Sequence, residues 1–179
     1  WRWLRSEFSL STVADDGQYA YGDCTDSIAS ATITRFAKWW TEEFQIYLTS
    51  AGLGTRHHIP YVRWEEFRLT WRTGDPNSGY PSMISIDPRD NLRPGAVPNA
   101  IYTITGEYQK SAQVLAADAD TPEMPTRFHR LIELRTMKAF AVKYSAPEVW
   151  DAANDEEALL KLALEIDLLP ERRFAPPLC

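Results

Sequence analysis

The sequence predicts an α+β fold, with a β-rich N-terminal and middle part of short antiparallel strands and hairpins packed with a C-terminal helical hairpin or bundle. Three observations predict it. Residues 44–49, 83–86 and 101–108 alternate with period two and are rich in β-branched and aromatic side chains, the mark of short, half-buried strands. Six prolines (Pro60, Pro76, Pro81, Pro88, Pro94 and Pro98) fall within 39 residues, with Gly74, Gly79 and Gly95 among them, which excludes long helices there. After Pro125 no proline occurs until Pro147, and the chain between them is free to be helical.

Along the chain, residues 8–13, Gly17 and residues 19–21 read as strand, turn and strand. Residues 63–71 fit two templates: Phe67, Leu69 and Trp71 alternate like a strand, whereas Trp64, Phe67 and Trp71 share one helical face. Thr121-Pro122 offers an N-cap followed by proline at the first helical position, and Pro125 repeats the signal. A helix of about five turns is expected over 127–145. Pro147 restarts a second helix, Pro170 ends it, and Ser145-Ala146-Pro147 makes the corner of a helical hairpin. The expected organisation is one domain over 1–170, β-rich at 8–110 and helical at 121–170, followed by an extended tail at 171–179.

Composition agrees with a single globular domain. The chain has 179 residues, 44% hydrophobic and 25% charged, which excludes collagen-like, coiled-coil and wholly disordered chains. Its formal charge of −6 and lack of a Lys/Arg cluster argue against a dedicated nucleic-acid binder. No apolar run approaches the roughly 18 to 20 residues that cross a bilayer, so no membrane partner is expected. Cys24 and Cys179 are too few for a disulfide framework, and a reduced, intracellular history is the simpler reading. With no initiating Met and no leader pattern, the sequence is expected to begin partway into a longer product.

The charge is uneven. Residues 151–171 hold seven acidic side chains against Lys161 alone, which accounts for the whole net −6. Among the cations, 14 are Arg and 5 are Lys, a bias that suits interfaces but also follows from G+C-rich codon usage. In the last helix Ala158, Leu159, Leu160, Leu162, Ala163, Leu164, Ile166, Leu168 and Leu169 cover most of the circumference, leaving Glu157, Lys161 and Glu165 as one polar stripe whose members pair along it. Such a helix either lies in the middle of its own bundle or is wedged between subunits. The subunit-contact candidates are Leu160, Leu164 and Leu168, with Trp39 and Trp40, whose adjacent rings fall on opposite faces of a strand. The tail Glu171-Arg172-Arg173-Phe174-Ala175-Pro176-Pro177-Leu178-Cys179 is either unfolded on its own or an extended peptide that docks into a partner.

Catalytic patterns are missing from the sequence. Gly52-Leu53-Gly54 lacks the rest of a phosphate loop, and His57 and His58 point to opposite strand faces, so they do not share a metal. The carboxylate pairs Asp15-Asp16, Glu42-Glu43, Glu65-Glu66 and Asp118 with Asp120 read as solvated surface. No enzyme, cofactor or metal is therefore expected. Two other readings stay open: a ligand- or carbohydrate-binding β module with a helical cap, using Trp39, Trp40, Trp64 or Trp71 as a platform, and a hydrolase assembled from residues distant in sequence.

The order of these features resembles the head-to-tail adaptor (connector) proteins of tailed bacteriophages. The resemblance is carried by the early 8–21 segment with Gly17, by Trp64-Glu65-Glu66-Phe67-Arg68 followed by Gly79-Tyr80-Pro81, and by Pro98-Asn99 before Ile101-Tyr102-Thr103-Ile104-Thr105-Gly106-Glu107-Tyr108. Leu115, Asp118-Ala119-Asp120-Thr121-Pro122, and Met124-Pro125 with Phe128-His129 complete it, so that it covers most of residues 1–170. It implies a structural virion protein, a homo-oligomeric ring of typically twelve copies in the neck between the capsid portal and the tail, nozzle or stopper protein, reached from the host cytoplasm during assembly. It also implies that residues 64–72 form a short helix, that Arg172, Arg173, Phe174, Pro176, Pro177 and Leu178 reach the portal, and that passing DNA meets the ring only transiently. Glu42, Glu43, Glu65 and Glu66, placed in loops or at element ends, are the candidates to line its channel.

Overall fold

The computed structural model describes residues 2–71 and 78–168. The chain divides into two compact units, Leu4–Ala112 and Trp1–Trp3 with Gln113–Cys179.

In the first unit the described strands are β1 (Arg5–Ser11), β2 (Thr25–Asp26), β3 (Ala31–Thr32), β4 (Lys38–Leu48), β5 (His57–His58), β6 (Ser78–Gly79), β7 (Met83–Ile86), β8 (Leu92–Gly95), β9 (Val97–Pro98) and β10 (Tyr102–Gln109). Six of them form an antiparallel sheet in the order β3-β2-β1-β10-β4-β5, β7 and β8 pair as a hairpin, and β6 runs parallel to β9. Period-two alternation sends Phe8 and Leu10 of β1, Phe44 and Ile46 of β4, and Ile104 and Tyr108 of β10 to one buried face. The register of β10 against β4 slips between Thr105 and Glu107, and Gly106 sits at that bulge. A Cβ there would stand 2.9 Å from the Phe44 ring and 3.0 Å from the Phe8 ring, so the absence of a side chain is what lets both rings close over the sheet.

The expected hairpin between residues 8–13 and 19–21 does not form. Strand β1 takes β10 and β2 as its neighbours. Tyr19 makes only an isolated bridge with Leu92, and Tyr21–Asp23 is a 3-10 turn. The physical reason is the Tyr19 hydroxyl, which accepts from the Val13 amide at 3.0 Å and donates to the Asp16 carbonyl at 2.7 Å, folding the turn back on itself. Residues 64–71 settle as the helix α1 (Trp64–Trp71), with Phe67 buried and Glu65 and Glu66 in the first turn, where the helix dipole favours carboxylates.

The second unit holds a 3-10 turn at Thr126–Phe128, then α2 (Arg130–Tyr144) and α3 (Pro147–Leu168). Ser145 ends α2 in the left-handed region at φ 54° and ψ 45°, and Pro147 opens α3, so the two helices fold into a hairpin. Phe128, Leu131, Leu164 and Leu168 form its core with Trp3, Met124 and Leu160 against them. Among the described residues no helix is long and apolar enough to cross a membrane.

Candidate functional site

The geometry of α3 separates an inner face from an outer one. Ala153, Glu157, Leu164 and Leu168 are buried and Leu160 is half-buried, at the three- and four-residue spacing of a face packed on α2. The expected polar stripe is therefore divided. Glu157 is 6% exposed, Lys138 donates to its carboxylate at 2.9 Å, and Arg135 makes an ion pair with it, so it reaches across to α2 and not along α3. The Lys138 hydrogen bond, more than offsetting the burial penalty, holds the Glu157 carboxyl below its usual range, with the charges of Arg135 and Lys138 adding to it. Two cations from the facing helix allow a carboxylate to stand where an apolar residue is expected.

This arrangement fixes which apolar side chains of α3 stay exposed. Leu164 and Leu168, expected at a subunit contact, belong to the core of their own unit, and Leu160, expected there too, packs against that core. Leu159, Leu162 and Ile166 are 71%, 54% and 75% exposed and lie in one stripe. Asp151 and Asp155 continue that stripe toward the start of α3. Near the corner α2 also exposes Phe140 and Tyr144, their rings 4.3 Å apart. On the other flank of the hairpin a cleft of about 370 Å³ is lined by Trp3, Met124, Leu131, Ile132 and Leu164, with Arg135, Glu157 and Lys161 also lining it.

In the β unit, Trp39 and Trp40 do fall on opposite faces. Trp39 is 5% exposed, packs 4.7 Å from Phe8, and donates its indole N–H to the Asp90 carbonyl at 2.8 Å, so it belongs to the core of its own sheet. Trp40 is half-buried beneath Arg5, whose guanidinium carbon lies 4.4 Å from the ring centre, and Lys38, whose Nζ lies 5.1 Å away. Arg5 is in turn paired with Glu107. The remaining platform candidates are also engaged: Trp64 stacks on Phe67 at 5.9 Å, and the Trp71 indole N–H donates to Met83 Sδ at 3.0 Å.

Glu42 and Glu43 are exposed, but they lie within β4 beside the slipped register and not in a loop or at an element end as expected. Glu65 and Glu66 are exposed in the first turn of α1, at an element end. His57 contacts the Tyr80 hydroxyl and the Thr55 carbonyl, whereas His58 contacts the Glu42 carbonyl, so the two rings have different surroundings. Among the described residues no group of three or more His, Cys, Asp or Glu is placed to hold a metal. Cys24 is buried, and burial followed by the nearby Asp23 charge pushes its thiol up to about 12, far from the range of a nucleophile at neutral pH. Arg172, Arg173, Phe174, Pro176, Pro177 and Leu178 lie outside the described residues.

The outward stripe and the cleft use Leu159, Leu162, Ile166 and Ile132, which the sequence pattern contains but does not single out. A helix that is apolar nearly all round has no unique inner face. Partners outside α3 orient it, among them Arg135 and Lys138, which pair with Glu157.

No curated protein matches the chain. The family model described as SU10 adaptor protein matches residues 1–178. With that match spanning nearly the whole chain, and with a β-rich part joined to a helical pair as the resemblance implies, the protein belongs to the SU10 adaptor protein family, a family of phage head-to-tail adaptors and hence of virion components.

Proposed function

We propose that the chain is a non-enzymatic ring component of the virion neck, twelve copies of which join the portal to the tail, nozzle or stopper protein and surround the DNA exit channel. The observation that carries this reading is the outward stripe Leu159, Leu162 and Ile166 on a helix whose inner face is already packed, in a chain of the adaptor family. A free monomer gains nothing from exposing three large aliphatic side chains in a row, whereas a subunit contact buries them. Rings are made by heterologous contacts, in which one patch on a copy meets a different patch on its neighbour and the rotation closes.

The charge suits the channel role. Twelve copies at −6 each carry −72, and carboxylates facing the channel repel phosphate, so that DNA slides through without sticking. Glu42, Glu43, Glu65 and Glu66 are exposed and remain the proposed channel-lining set, and Arg172 to Leu178 the proposed portal-docking segment. The test is electron microscopy of the full chain mixed with the portal protein of the same phage. The reading expects an added ring beneath the portal, and a portal that stays bare under saturating protein would overturn it.

A further inference from the structure

We propose that neighbouring copies join by seating the outward α3 stripe of one copy, Leu159, Leu162 and Ile166, in the cleft lined by Trp3, Met124, Leu131, Ile132 and Leu164 of the next; this rests on the ring reading above.

The two surfaces match in chemistry. The stripe presents exposed aliphatic side chains, and the cleft, about 370 Å³, is walled mainly by aliphatic and aromatic ones. Their borders match in charge. Lys161, which also lines the cleft, has no ion-pair partner among the described residues, and Glu165 follows it one turn on. Arg135 is already engaged with Glu157. Asp151 and Asp155, which extend the stripe, have no cation partner among the described residues either, whereas Glu156 and Asp167 of the same helix are paired with Arg130 and Arg127. An aspartate beside the stripe of one copy and Lys161 beside the cleft of the next satisfy each other at the rim.

The positions match as well. At about 100° per residue, the stripe and the cleft wall formed by Glu157, Lys161 and Leu164 lie about 165° apart around α3. Their centres differ by only about 3 Å along its axis at 1.5 Å rise per residue. Opposite sides make the contact heterologous. With α3 standing along the ring axis, as this contact requires, equal height lets successive copies be related by rotation with little climb, so that the ring closes instead of extending into a filament. A two-fold pairing of α3 with α3 has neither advantage: it leaves the cleft empty and brings two helices together that each carry seven acidic residues against Lys161.

Disulfide trapping tests the contact in the full chain, mixed with the portal protein and with Cys179→Ser as background. The pair Ile132→Cys and Leu162→Cys, one on each surface, is expected to give a ladder of linked multimers on oxidation, and either change alone is expected to give none. In parallel, Leu162→Asp is expected to weaken assembly at least about tenfold while leaving the circular dichroism and melting temperature of the subunit unchanged, because this side chain is already half exposed. Lys161→Glu is expected to weaken assembly, and Asp155→Lys added to it to restore it. Dimers from Leu162→Cys alone, or a Leu162→Asp chain that assembles like wild type, overturn this contact and leave the ring reading standing. A wild-type chain that stays monomeric with and without portal overturns the ring reading, and this contact with it.

Discussion

Gly106 lies under Phe44 so closely that a Cβ at this position would stand 2.9 Å from the ring. The register slip between β10 and β4 and the aromatic core of the sheet therefore depend on one another. Gly106→Ala is expected to destabilise the β unit by about 1–3 kcal/mol, the usual cost of overpacking, and the melting temperature or a urea titration measures it. Phe44→Leu in the same background is expected to recover part of the loss, since a smaller side chain reopens the space.

Asp26 gives the β unit an acid limit. Burial alone raises its carboxyl, but hydrogen bonds from the Tyr108 hydroxyl at 2.6 Å, the Ala29 amide, the Ser6 hydroxyl and the Ile28 amide together outweigh burial and hold it below the usual carboxylate value. A folded-state value below the unfolded one contributes stability that is complete above the unfolded pKa of about 4 and is lost as pH falls through the folded value. Asp87, likewise lowered against its burial by hydrogen bonds from Asn91, Arg89 and Arg93, adds to the same slope. The melting temperature is expected to be flat near neutrality and to fall below about pH 4. Asp26→Asn is expected to cost about 1–3 kcal/mol at neutral pH and to flatten the acid slope.

Cys24 is expected to resist alkylation in the native protein at pH 8 and to react once urea unfolds it, as read by peptide mass mapping that separates it from Cys179. Burial is the main cause, and rapid native labelling at Cys24 contradicts the placement of this side chain in the core.

Some of this architecture was legible in the sequence, and the reasons are local. Pro125 and Pro147 bracket α2, Ser145 supplies the left-handed corner, and the adjacency of Trp39 and Trp40 alone divides them between two faces. Other features depend on distant partners. The neighbour of β1 is β10, with Arg5 opposite Gln109, a pairing that no local turn signal announces, whereas the nearby residues 19–21 only imitate a hairpin. The burial of Glu157 is decided by Arg135 and Lys138 on another helix, which is why a polar stripe on paper becomes part of an inner face. The exposed stripe of Leu159, Leu162 and Ile166 follows from that orientation, and a pattern apolar nearly all round α3 does not separate it from the inward Leu160, Leu164 and Leu168.

The C-terminal segment yields a separable prediction. Removing residues 171–179 is expected to weaken portal binding by about tenfold or more while leaving the melting temperature of the two units unchanged. Unchanged binding removes Arg172, Arg173, Phe174 and Leu178 from the docking role without touching the ring.

The central claim is that the working unit is a closed ring on the portal, and the mass of that assembly tests it most directly. Native mass spectrometry of the wild-type chain with its portal is expected to show twelve copies of the 20.5 kDa chain added as one cooperative step. A chain that remains at 20.5 kDa at high concentration, both alone and beside the portal, contradicts the account.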